Sequence, residues 1–154
     1  MNGTFLQARE IGRASENITV SNITVKGGVS AIAIGSEMAG SVRNVFVRNI
    51  TATKVWNGIL IKTCRGRGGV VENVHITDMH ILDKSSTYSI QIYPLYTYGC
   101  MHNVPHKMSE LTPTFKDFYI TNFSGTSNKG AQIVGLPENH FKNFHLTNVH
   151  LKSD

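Results

Sequence analysis

Residues 27–69 read GGVSAIAIGSEMAGSVRNVFVRNITATKVWNGILIKTCRGRGG, and this stretch decides the fold. Two short alternations, Ala31-Ile32-Ala33-Ile34 and Gly58-Ile59-Leu60-Ile61, each run into a polar or charged tail, Gly35-Ser36-Glu37 and Lys62-Thr63. A third alternating run, Val42 to Ile50, lies between them. Alternation over about four to eight residues, punctuated by Gly and Asn, marks strands half buried against a core. No helical period intervenes, so the chain reads as all-β.

Working outward, one phrase recurs five times. It appears as Asn17-Ile18-Thr19-Val20-Ser21-Asn22, Asn44-Val45-Phe46-Val47-Arg48-Asn49 and Asn73-Val74-His75-Ile76-Thr77-Asp78. It returns as Asp117-Phe118-Tyr119-Ile120-Thr121-Asn122 and Asn143-Phe144-His145-Leu146-Thr147-Asn148. The starts are spaced by 27, 29, 44 and 26 residues. A period in this range marks a solenoid. The second and fourth positions are always apolar, so they are expected to point inward and stack on their counterparts one coil away. The first and sixth are Asn or Asp, which tolerate left-handed geometry and bond their own backbone. They are expected at the corners, with amides bonded from coil to coil. The 44-residue gap holds an insertion, Tyr93-Pro94-Leu95-Tyr96-Thr97-Tyr98-Gly99 and then a polar loop through Pro105 and Pro113. Long loops leaving a rigid scaffold often carry binding residues.

Composition fits one globular domain: 154 residues, 40% hydrophobic and 16% charged. The net charge of +5 favours an acidic partner. The fifteen Lys and Arg are scattered, and only Arg65-Gly66-Arg67 is dense, so no nucleic-acid surface is expected. No apolar run approaches the roughly 18 residues of a membrane span. Two cysteines, Cys64 and Cys100, define no framework. They pair in an oxidising compartment or stay buried as thiols, and the thiol reading is preferred.

Ile34-Gly35-Ser36-Glu37-Met38, Val42-Arg43-Asn44-Val45, Gly58-Ile59-Leu60-Ile61-Lys62-Thr63 and Arg65-Gly66-Arg67-Gly68-Gly69 together resemble glycoside hydrolase family 28, the polygalacturonases. Ile11-Gly12-Arg13-Ala14-Ser15-Glu16-Asn17-Ile18 is similar to the segment before that family's Gly-His-Gly motif. Thr112-Pro113-Thr114-Phe115-Lys116-Asp117 and Gly135-Leu136-Pro137-Glu138 look like its C-terminal coils. The resemblance implies a right-handed single-stranded parallel β-helix of about five to six coils. It implies that residues 1–154 form a single β-helix domain, similar to the C-terminal coils of a longer catalytic domain. It also implies a secreted or periplasmic setting. Met1-Asn2-Gly3-Thr4 opens no signal peptide, which suggests a mature chain or a fragment.

The family inverts at the anomeric carbon, with one carboxylic acid and carboxylate bases across the sugar. The resemblance places these in an Asn-Thr-Asp motif and an Asp-Asp pair, and the sequence has neither. The family's Gly-His-Gly aligns with Gly28-Val29-Ser30, and its Arg-Ile-Lys with Leu60-Ile61-Lys62, so Val29 and Leu60 replace the motif His and Arg. No catalytic residue is assigned. Asp78 and Asp117 fall on corner positions and read as structural, as does Glu37. The expected substrate-binding residues are Lys62, Arg65 and Arg67, a basic edge suited to galacturonan carboxylates, and Tyr96, which offers a ring face to a sugar. Tyr93 and Tyr98 either join it or pack on the coil.

His75 and His145 share a repeat position, as do His80 and His150, but the Asp117 coil intervenes, so no metal and no cofactor is expected. The first coil should present apolar surface and open strand edges, predicting a dimer, a cap from residues 1–14, or a missing partner segment. Two other functions stay open: a non-catalytic module for acidic polysaccharide, and a structural solenoid.

Overall fold

The computed structural model describes residues 12–96, 100 and 102–153. The chain winds through β1 (Ser15–Ile34), β2 (Val42–Lys62), β3 (Val70–Ile81), β4 (Ile90–Tyr93), β5 (Thr114–Ser127), β6 (Ala131–Ile133) and β7 (Lys142–Ser153). All strand pairings are parallel, in the order β6-β4-β2-β3-β5-β7, with β1 also on β2. This is a right-handed parallel β-helix of about five turns. The long strands β1 and β2 bend through successive faces; β3 with β4, and β5 with β6, follow the same path in two pieces.

The repeat sets the register. Ile18, Val45, Val74, Phe118 and Phe144 pair in one column. Val20, Val47, Ile76, Ile120 and Leu146 form a second. The middle coils bury these side chains fully, as in Val74, Ile76, Phe118 and Ile120. The end coils have a neighbour on one side only, which leaves Ile18 37% and Leu146 47% exposed. At the β1 end the interior opens into a cavity of about 330 Å³ lined by Ile18, Val20, Ile32, Ile34 and Val45. Residues 1–11 of the expected cap lie outside the described residues.

The corners are where the repeat places them. All ten Asn and Asp of its first and sixth positions have φ between 51° and 59°. Other L-residues lose about 1–2 kcal/mol in this region, and Asn and Asp lose less because their side chains bond locally. The amides form two ladders. Asn44 donates to Asn17 (3.0 Å), Asn73 to Asn44 (2.8 Å) and Asn143 to Asp117 (2.7 Å). In the second, Asn49 donates to Asn22, Asn122 to Asp78 and Asn148 to Asn122, each at 2.8 Å. Every bond runs from the later coil to the earlier. An ionised Asp accepts but cannot donate. Asp117 therefore cannot reach back to Asn73, and His75 Nε2 meets the Asn73 Oδ1 instead, at 2.8 Å.

Outside the same face, Phe46, His75, Tyr119 and His145 stack ring on ring, with centroids 5.1, 4.6 and 5.0 Å apart. The shared position of His75 and His145 thus makes an aromatic column with Tyr119 between them.

The cysteines correct the preferred reading. Cys64 and Cys100 form a disulfide, with Cα atoms 5.7 Å apart. Their separation in sequence hides the geometry. Leu95 folds back antiparallel onto Cys64, and Tyr96 N–H donates to Thr63 C=O at 3.0 Å, which turns the insertion toward the end of β2.

Candidate functional site

One face of the solenoid is built from Ile32–Ile34, Ile59–Lys62, β4 and β6. Its alternation sends Ile59, Ile61, Ile90 and Ile92 into the core. The intervening residues point to the other side of the strands, where Leu60 is still buried. One outer row is Ala33, Leu60, Gln91 and Gln132, paired in register. In the next row Lys62 pairs with Tyr93, and Val134 N–H donates to Ile92 C=O beside it. Gly35 precedes this row with φ +91°, packed so closely that a methyl group there would strike the Lys62 carbonyl oxygen.

The folded-back insertion brings Tyr96 under Lys62. Lys62 Nζ lies 3.9 Å from the Tyr96 ring centroid. The Tyr93 ring meets Tyr96 edge-on at 6.4 Å. Burial pushes the Tyr93 phenol above its usual range, and the neighbouring Tyr96 and Tyr88 phenols add to it. Like any tyrosine it is protonated at neutral pH and can donate. Among the described residues no carboxylate lies within ion-pair distance of Lys62. Gln91 Nε2 donates to Gln132 Oε1 at 2.7 Å, and a cavity of about 220 Å³ opens between Tyr93, Leu95, Gln132 and Val134.

Arg65 and Arg67 are placed differently from Lys62. Arg65 Nε and Nη2 donate to the Glu138 carboxylate at 2.7 and 3.0 Å. Its Nη1 and Nη2 also donate to the carbonyls of His102 and Val104, each at 3.0 Å. The hydrogen bond from Arg65 holds the Glu138 carboxyl at about 2, and Glu138 in turn raises the Arg65 guanidinium. Arg67 pairs with Glu37 at 3.4 Å. Both charges are matched within the chain. Arg65 clamps the insertion and the turn at 135–139 onto the exit of β2.

Of the four expected binding residues, the fold brings Lys62 and Tyr96 into contact and sets Arg65 and Arg67 in ion pairs. Tyr98 lies outside the described residues. Sequence reasoning passed over Trp56, Tyr88, Gln91 and Gln132. Trp56, the chain's only tryptophan, stands 58% exposed, one coil below Val29. Gln91 was legible as the outward position of Ser89-Ile90-Gln91-Ile92-Tyr93. Gln132 was not, because β6 is three residues long.

A surface of one unpaired cation, clustered phenols and an amide pair suits a ligand bearing carboxylates and hydroxyls. The sequence profile of glycosyl hydrolases family 28 matches residues 10–154. The chain belongs to glycosyl hydrolase family 28. A probable polygalacturonase of Vitis vinifera is 28% identical over 144 residues, covering 90% of this chain and 28% of that protein. The exopolygalacturonase rpg16 of Rhizopus delemar is 32% identical over 145 residues, covering 87% and 36%. Endopolygalacturonase B of Aspergillus niger is 33% identical over 94 residues, covering 60% and 26%. This family 28 chain thus spans about a third of the length of these relatives. Its outward rows from Ala33 to Val134 carry no Asp or Glu.

Proposed function

We propose that this chain is the C-terminal coil block of a polygalacturonase-type β-helix and supplies one side of its galacturonan groove. One observation carries the reading: Lys62 stands over Tyr96 beside Tyr93, with no carboxylate of the described chain paired to it. Galacturonan presents one carboxylate per sugar. Lys62 offers a point charge to one of them, without the planar fork of an arginine. Tyr96 orients the ammonium and Tyr93 donates a hydrogen bond. Inverting hydrolysis needs two carboxyl groups across the scissile bond. With Val29 and Leu60 at the aligned motif positions and no acidic residue in the outward rows, we assign no hydrolysis to these coils alone. The disulfide favours an extracellular or periplasmic home.

The test is calorimetric titration with galacturonan oligomers at low and high salt, with reducing ends assayed in the same samples. Salt-sensitive binding without new reducing ends is expected, and Lys62→Ala should weaken it about tenfold. New reducing ends would overturn the assignment of no hydrolysis, and no binding would overturn the groove. Binding without cleavage equally suits a second reading, a non-catalytic module for acidic polysaccharide, which the unpaired Lys62 favours over a purely structural solenoid.

A further inference from the structure

One coil beyond Lys62 the groove changes chemistry. The cavity of about 220 Å³ is lined by Tyr93, Leu95, Gln132 and Val134, none of them charged. Gln91 stands beside Gln132 in the preceding coil and donates one Nε2 proton to its Oε1 at 2.7 Å. That bond leaves both Nε2 protons of Gln132 and one of Gln91, with acceptor capacity on both oxygens. Tyr93, which lines the cavity, adds a phenol. Arg65 is engaged with Glu138, and Lys129 lies over the Tyr88 ring at 5.4 Å.

Each step along this face is one coil, about 4.8 Å, close to the length of a sugar ring in a chain. A glycan lying along the axis with one carboxylate at Lys62 would set its next unit against Tyr93, Val134 and the two amides. An aromatic and an aliphatic wall suit the apolar face of a pyranose, and paired amides suit its neighbouring hydroxyls. A carboxylate in the same place would lose water with no cation among the lining residues to meet it, since Lys62, one coil back, already holds the first uronate.

We propose that this cavity is a subsite for an uncharged sugar unit next to the uronate held at Lys62. The inference rests on the galacturonan-binding reading of Lys62 and Tyr96, and adds which neighbour the groove accepts. The uncharged unit has two sources, a methyl-esterified galacturonate or a neutral sugar.

The experiment titrates the full chain with three tetrasaccharides: fully acidic galacturonan, the same oligomer carrying methyl esters on alternate units, and an oligomer alternating galacturonate with a neutral sugar. At least one uncharged-unit oligomer should bind about tenfold more tightly than the acidic one, and the tighter of the two identifies the source. Gln132→Lys should erase or reverse that order, whereas Lys62→Ala should weaken all three alike. The wild-type comparison stands by itself if the lysine variant does not fold. Acidic oligomer binding at least as tightly as both alternatives overturns the subsite and leaves the groove intact. Failure of all three to bind overturns the groove, and the subsite with it.

Discussion

Replacing Arg65 with Met tests how the insertion is fastened to the coil. The guanidinium makes four hydrogen bonds, two to the Glu138 carboxylate and one each to the carbonyls of His102 and Val104. The Arg65 and Glu138 side chains are 14% and 6% exposed, so the pair is largely shielded. Met preserves much of the bulk and strands the carboxylate. Removing one partner of a buried pair costs about 3–5 kcal/mol. The two carbonyls belong to exposed residues and can turn to water, which brings the expected loss nearer about 2–3 kcal/mol. The pH dependence gives an independent check. The Glu138 carboxyl sits at about 2 in the fold against 4.5 ordinarily. A depressed carboxyl contributes its stability above the unfolded pKa and loses it as pH falls through the folded one. The gap between wild type and Arg65→Met should therefore be full above about pH 5 and close between about 4.5 and 2. Urea unfolding at several pH values measures it. A gap below about 0.5 kcal/mol at pH 7, or one unchanged down to pH 2, would refute the clamp.

Three further outcomes are expected. Cys64→Ser with Cys100→Ser releases a 36-residue loop and should cost about 3–4 kcal/mol in urea unfolding by the loop-closure relation, while weakening the proposed galacturonan binding because Tyr96 is no longer held under Lys62. Asn44→Ala removes the middle of a ladder at φ 54°, giving up one donated and one accepted bond, and should lower stability by about 2 kcal/mol in the same assay. Gly35→Ala forces a methyl against the Lys62 carbonyl in a left-handed conformation, and should lower the melting temperature by several degrees, about 2–4 °C per kcal/mol in a domain of this size; an unchanged melting curve would mean that this backbone approach is loose.

The coil was legible because its physics is local. A six-residue phrase fixes two corners and two inward positions, and stacking repeats the same choice in every turn, so Asn17 predicts Asn44 and Val45 predicts Val74. The site was legible only in part. Lys62 and Tyr96 were marked by residue type, yet their contact depends on an antiparallel fold-back at Leu95 that no period announces. Arg65 and Glu138 are 73 residues apart, and nothing in the sequence distinguishes an arginine that meets a ligand from one that clamps a loop. The disulfide was missed for the same reason: its proximity is made by the fold-back and not by spacing. Gln132 sits on a strand too short to show alternation.

The two amide ladders have a further property as fasteners. Each aspartate interrupts one ladder at the boundary with the coil before it: Asp78 the link to Asn49, Asp117 the link to Asn73. The interruptions fall at different boundaries and in different ladders. Where Asp78 breaks one link, Asn73 still donates to Asn44; where Asp117 breaks the other, Asn122 still donates to Asp78. No seam between described coils loses both fasteners, so a single break does not give an unzipping front a seam without a latch. Had both aspartates fallen in the same coil, that turn would be the place where the rod comes apart.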